Sequence, residues 1–304
     1  VATTTAQQGG PLAADMGQGP RTSRRRPSSR IRTVLAYVLL TGGGLVMLLP
    51  FAWLVSSSLK GPENIFTVPP EWIPEPMRWR NFTDVLSALP FLRYLENTLV
   101  ITFVAATGQV VTSVLCAFAF SRLRWPGRDV LFAIVLATLM VPYTVTLIPT
   151  FILFKSLNWL DTFLPLTVPY WFGAGSAFFI FLLRQFFRTL PMELDEAARI
   201  DGAGPWVILT QIILPLSRPA IAVVSVFAFL SHWNDFFGPL VYLTSESKWT
   251  LALGISALQG LQWGRDMTHL VMAVSVIMVA PVVVLFFLAQ KTFIRGIVLT
   301  GLKA

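Results

Sequence analysis

The chain has 304 residues, of which 55% are hydrophobic and only 12% charged, and its mean hydropathy is +0.68, whereas a soluble domain carries about 25% charged residues. This excludes an ordinary soluble globular fold and makes lipid the solvent. The formal charge of +8 would suit nucleic acid only if it gathered on one binding face, and its distribution points elsewhere.

Residues 1–32, with the stretches TTTAQQGG and RTSRRRPSSR, have no apolar period and read as a disordered basic tail. Val1 fits translation of an alternative bacterial start codon, a pointer to a bacterial plasma membrane. Thr33 to Ser56 is a 24-residue apolar run, longer than the about 7–15 residues of a secretory h-region, so it is expected to stay as a helix. Lys60 to Glu96 forms a loop with Pro62, Pro69, Pro70, Pro74 and Pro76, a density that keeps the chain extended or turning.

A bilayer span needs roughly 20 apolar residues. Six runs qualify, near 33–56, 97–120, 130–154, 163–183, 217–238 and 268–290, and five of them contain no Lys, Arg, Asp or Glu. The expected fold is therefore all-α and polytopic, with six transmembrane helices. Pro142 and Pro149 in the third, and Pro165, Pro169, Gly173 and Gly175 in the fourth, admit either bending around a pathway or plain packing kinks.

Threading these spans from a cytoplasmic N-terminus leaves 16 of the 23 Lys and Arg residues on the cytoplasmic side, which places both termini in the cytoplasm. The basicity reports topology and no nucleic-acid partner. Cys116 is the only cysteine and reads as a small core residue. His232 and His269 have no ligand partner at metal-site spacing, so no metal site is expected.

One polar segment interrupts the apolar pattern: MELDEAARIDGAGPWVILTQIILPLSRP, Met192 to Pro219, placed in the cytoplasm by the same threading. Pro191 suits a helix start, and Glu193, Asp195 and Glu196 sit where carboxylates face a positive helix end. Gly202 supplies a stop and Gly204-Pro205 a second start, predicting helix, turn, helix outside the bilayer.

The spacing Glu196-Ala197-Ala198, then Gly202, then Ile212 and Leu214-Pro215 resembles the EAA loop of ABC importer permeases, in the version of carbohydrate importers of the maltose type. WNDFFGPLVYL at 233–243 and the C-terminal RGIVLTGLKA extend the likeness over about 97–304; Leu209 departs from it, standing where the maltose type has Phe. The resemblance implies a type I importer permease with a first helix and outer loop at 33–96 and a five-helix core at 97–304. It also implies a coupling loop at about 184–216, with Glu196, Ala197, Ala198, Arg199, Asp201, Gly202, Leu209, Ile212, Leu214 and Pro215 contacting an ATPase. The partners implied are a second, different permease subunit, two ATP-binding subunits and an extracytoplasmic solute-binding protein.

Energy must come from outside the chain: no G-x-x-x-x-G-K-[ST] loop occurs and the dipeptide Gly-Lys is absent, so ATP and Mg are expected on a partner ATPase, with no cofactor here. The rival source is an ion gradient, for which His232 and Asp235 are the candidates. Trp233, Asn234, Asp235 and Phe236, with Tyr242, offer aromatic faces and polar groups to a sugar and are candidate pathway residues. Ser231 and His232 are adjacent, which makes no catalytic triad, and no enzyme activity is expected.

Overall fold

The computed structural model describes residues 29–260 and 267–301, helices joined by turns and loops with no strand among them. The expected tail up to residue 28 and the segment 261–266 lie outside the described residues. The chain divides into two units, Val1–Pro50 and Phe51–Ala304. In the first, the described residues are helical and belong to α1 (Ser29–Ser58), whose Val34–Leu49 face is apolar and exposed, as expected of a helix in lipid. The helix begins four residues before the expected start, taking in Ser29 to Arg32.

The second unit holds everything else. The proline-rich loop contains α2 (Asn81–Ala88), which the proline count did not anticipate. Val85 on α2 is fully buried with Tyr94, Leu251, Leu258 and Val274. The expected span 97–120 is α3 (Phe91–Arg122), a continuous helix of 32 residues. The 130–154 run is broken: α4 (Arg128–Ala137) and α5 (Tyr143–Ser156) meet at an angle of 99° across a short turn. Val141 and Pro142 are both extended there, because the residue before a proline is pushed out of the helical region.

The 163–183 run is divided between α6 (Leu164–Trp171) and α7 (Ala177–Thr189), neither of span length. Gly173 and Gly175, at φ +91° and +64°, turn the chain between them, a conformation that costs glycine least. Among the described residues, three unbroken helices, within α1, α3 and the last helix, are long and apolar enough to cross a bilayer, and counting each bent pair as one span raises this to five. The expected count of six is left unconfirmed, because the 163–183 run is divided between two helices that are each too short to be counted as a span.

The polar segment is α8 (Glu193–Ile200), a turn, then α9 (Pro205–Val207), a π-helical stretch Ile208–Ile213 and α10 (Leu214–Leu216). The axis then bends by 82° into α11 (Arg218–Trp233). α12 (Phe237–Tyr242), α13 (Leu251–Gly260) and α14 (Thr268–Gly301) complete the unit.

In lipid, helices gain little from burying apolar surface against one another, so close approach through small residues matters more. α3 and α11 follow that rule with Ala106, Ala117, Ala220 and Ala228 in one buried cluster. Gly108 is the tightest case: a Cβ there would lie 2.4 Å from the Trp171 ring of α6. Phe179, Leu183 and Phe187 of α7 fill the same cluster, together with Ile208, Leu209 and Ile213 of the re-entering segment. The polar segment is thus anchored in the core it interrupts.

Candidate functional site

The anchoring centres on Arg122, the last residue of α3. Its Nη1 lies 3.4 Å from Asp195 Oδ1, and the two side chains are each 1% exposed. Nη2 donates to the carbonyls of Phe187 and Leu190, the latter at 2.9 Å. These carbonyls end α7, where the last turn of a helix leaves acceptors unpaired. A single guanidinium therefore caps α7 and grips the first turn of α8. Burial pushes the Asp195 carboxyl up, while Arg122 and Arg199 pull it back. Asp195 Oδ2 and Arg122 Nε are buried without a hydrogen-bond partner among the described residues. In the sequence Arg122 is one of the 16 Lys and Arg residues on the cytoplasmic side, with no local sign of these partners.

Beyond this clamp α8 points its other residues outward. Glu196, Ala197, Arg199 and Asp201 are exposed and Ala198 is half-buried against the core. The helix stops where Ala203 N–H donates to Ala198 O at 2.8 Å and Gly202 takes φ +84°, the glycine-closed helix end expected from the sequence. Ile200 and Trp206 flank the turn with 87% and 66% of their surface open. Leu209, expected on the contact surface, is instead 2% exposed inside the chain's own core. The π-helical register turns it inward beside Ile208 and Ile213, which leaves Ile200 and Trp206 as the most exposed apolar side chains of the segment. Ile212 and Leu214 are half-buried in the same packing and Pro215 is exposed.

A cavity of about 630 Å³ opens where the broken helices α5, α6, α11 and α12 converge. Tyr143, Tyr170, Tyr242, Thr150, Ser231 and Asp235 are among its lining residues. Tyr242 Oη stands 3.4 Å from Tyr143 Oη and 3.3 Å from Thr150 Oγ1. Asp235 accepts the Gly238 N–H at 3.1 Å, which turns one carboxylate oxygen back onto the start of α12. His232 lies under the edge of Tyr170, its Nε2 2.9 Å from Gln109 Oε1.

Of the candidate pathway residues, Asp235 and Tyr242 line this cavity. Trp233 is buried away from it, stacked on Phe229 with Nε1 donating to Met278 O at 3.1 Å. Asn234 bonds back to Leu230 O at 2.9 Å. Phe236 is half-buried and outside the lining. α11 ends at Trp233, and Asn234 to Phe236 form the turn into α12, so the run does not present one common face to the cavity. Tyr143 and Tyr170, which sequence reasoning missed, come from α5 and α6 and carry no local signal that would have joined them to Tyr242 on α12.

Broken apolar helices around a cavity that carries tyrosine and other hydroxyl groups in its wall, with a helix–turn–helix clamped to the ends of α3 and α7, define a membrane transport permease. The family model described as "Binding-protein-dependent transport system inner membrane component" matches residues 109–298, more than half of the chain. The chain belongs to this family, as a multi-pass permease subunit of a bacterial ABC importer of the inner membrane. It is 35% identical over 272 residues to the sn-glycerol-3-phosphate transport system permease protein UgpE of Yersinia pestis bv. Antiqua (strain Antiqua), covering 87% of this chain and 95% of that one. It is 33% identical to the protein of the same name from Escherichia coli O1:K1 / APEC, covering 88% and 96%. Among solved structures, a chain of a bacterial ABC transporter involved in the import of the acidic polysaccharide alginate superposes with a TM-score of 0.74 at 27% identity, covering 88% of this chain and 98% of that one. A second alginate transporter, in complex with an alginate pentasaccharide-bound periplasmic protein, gives 0.64 at 19% identity, covering 87% and 96%, a likeness of fold.

Proposed function

We propose that this subunit forms one half of the translocation pathway for a sugar or sugar-like solute and receives its work from separate ATPase subunits through α8 and the turn at Gly202. Two ATPases hydrolyse ATP with Mg, a second permease of different sequence closes the pathway, and an extracytoplasmic solute-binding protein delivers the solute. Both termini then lie in the cytoplasm, on the side of the arginines at 122–128 and 184–199. The observation that carries the reading is the clamp: α8 presents Glu196, Ile200 and Trp206 outward while Asp195 is held by Arg122 at the end of α3. A push on the exposed face reaches α3 and α7 as a rigid body, the kind of element that alternates between two states when a partner binds one of them better. The substrate class draws on the tyrosine- and hydroxyl-lined cavity, whose flat aromatic faces and hydrogen-bonding groups suit a polyhydroxylated ring, and on the substrates of the relatives.

Uptake by vesicles holding the assembled transporter tests this. ATP with Mg is expected to drive uptake, and Glu196→Lys combined with Gly202→Val is expected to abolish it while membrane insertion stays normal. Uptake driven by a proton or sodium gradient without ATP would instead favour a secondary carrier built on His232 and Asp235.

A further inference from the structure

The turn between α3 and α4 gathers more positive charge than the fold uses. Asp129 is the one carboxylate there, with Arg128 Nε at 3.1 Å and Arg184 Nη2 at 3.5 Å. Arg188 lies close enough to act on the same carboxylate electrostatically, and exposed Arg124 shares a pocket with Arg128. Four arginines thus face one acid, leaving an excess of cationic charge.

The pocket has a volume of about 390 Å³ and is lined by Arg124, Trp125, Gly127, Arg128, Asp129 and Val130. Trp125 packs against Phe120, and its Nε1 donates to Ala119 O at 3.3 Å, the half-apolar, half-polar setting typical of tryptophan at a membrane boundary. Immediately beyond the pocket, Val130, Leu131 and Ile134 of α4 form an exposed apolar strip. Ile134 lies one turn from both Val130 (i, i+4) and Leu131 (i, i+3) on the helix surface, so this strip runs away from the basic pocket along apolar α4.

We infer that this turn is a binding site for an anionic phospholipid, with the phosphate of the headgroup between Arg124 and Arg128 and an acyl chain along Val130, Leu131 and Ile134. The headgroup level is where a cationic pocket finds phosphate, and planar guanidinium groups bind it through paired hydrogen bonds. The apolar strip is what distinguishes a lipid from free phosphate, which would have no use for it. Because α3 ends in this turn at Arg122, an occupied site would brace the helix end that holds α8.

Native mass spectrometry of the full-length chain, released from detergent with phosphatidylglycerol and phosphatidylcholine at equal concentration, tests the site. Phosphatidylglycerol is expected to remain bound in preference to phosphatidylcholine and to resist millimolar inorganic phosphate. Arg124→Gln with Arg128→Gln should weaken retention about tenfold or more, given roughly fivefold per basic residue at an anionic surface. Arg124→Lys with Arg128→Lys should keep most of it, which separates lost charge from a disturbed turn, and Arg80→Gln with Arg93→Gln, remote from the turn, should change nothing. Equal retention of both lipids, displacement by inorganic phosphate, or undiminished retention in the Gln pair would each overturn the inference.

Discussion

The Arg122 guanidinium and the Asp195 carboxylate meet at 3.4 Å, joining residues 73 positions apart at the junction of α3, α7 and α8. A buried pair of this kind adds little net stability over an apolar replacement, yet losing one partner strands the other charge, at a cost of about 3–5 kcal/mol. Asp195→Leu is therefore expected to lower the thermal midpoint of the detergent-solubilised protein sharply. The double variant Arg122→Met with Asp195→Leu should recover part of that loss. Recovery stays incomplete because the Phe187 and Leu190 carbonyls also lose their donor. Additive losses in this double-mutant cycle would show that the two side chains do not act as a unit.

The clamp marks the boundary of what the sequence reveals. Continuous hydropathy located α3 and the apolar part of α14, and the spacing from Glu196 to Pro215 located the polar segment, because both signals are local. Arg122 looked like any inner-leaflet arginine, since its partners lie 65–73 residues away. The breaks at Pro142 and at Gly173–Gly175 are half-visible: these residues admit a bend or a mere packing kink, and a hydropathy window, which averages across a turn as apolar as the helices beside it, cannot decide between the two. Leu209 failed for a further reason. Its direction depends on the π-helical register of Ile208–Ile213, which shifts each side chain relative to an α-helix.

Gly202 is a case where the local signal sufficed and the mechanism can be isolated. A Cβ at this position would meet nothing within 4 Å, yet the backbone holds φ +84°. Substitution therefore costs backbone strain and no clash, about 1–2 kcal/mol for Ala. Gly202→Asn, which tolerates the left-handed region better, is expected to retain more ATP-driven uptake than Gly202→Ala, and Gly202→Val least of all. If the three variants transported equally well, the left-handed turn would have no part in coupling.

Across the unit, Asp161 ties two loops together. Its carboxylate accepts from Thr244 N at 3.0 Å, Ser245 N at 2.9 Å, Ser245 Oγ at 2.6 Å and Lys248 Nζ at 2.9 Å. The bond from Lys248, reinforced by those from Ser245, holds its carboxyl well below the usual range. A depressed folded-state pKa stabilises the fold fully above the unfolded value, about 3.9 for Asp, and is lost as pH falls below it toward the folded value. The expected thermal profile is flat from this group between pH 7 and 5 and falls below about pH 4. Asp161→Asn, an isosteric change that still suits the φ of +56° at this residue, should lower the midpoint at pH 7 and make the acid branch shallower. An unchanged difference between wild type and variant from pH 7 to pH 3 would remove Asp161 from the acid response.

Trp233 and Tyr242 separate packing from transport. Trp233 is 1% exposed, with Nε1 bonded to Met278 O, so Trp233→Ala should cost about 3–5 kcal/mol through the cavity it leaves. Trp233→Phe should cost nearer 1 kcal/mol, the net worth of one hydrogen bond with the packing largely kept. Tyr242 lines the 630 Å³ cavity, and its hydroxyl faces Tyr143 and Thr150. Tyr242→Phe keeps the ring that stacks on Phe151 and removes only that hydroxyl. Its thermal midpoint should stay close to wild type while the rate of uptake in reconstituted vesicles falls several-fold. Measuring both quantities on both variants decides the matter: a Tyr242→Phe protein that loses stability but transports normally per folded molecule would move the solute's path away from this cavity.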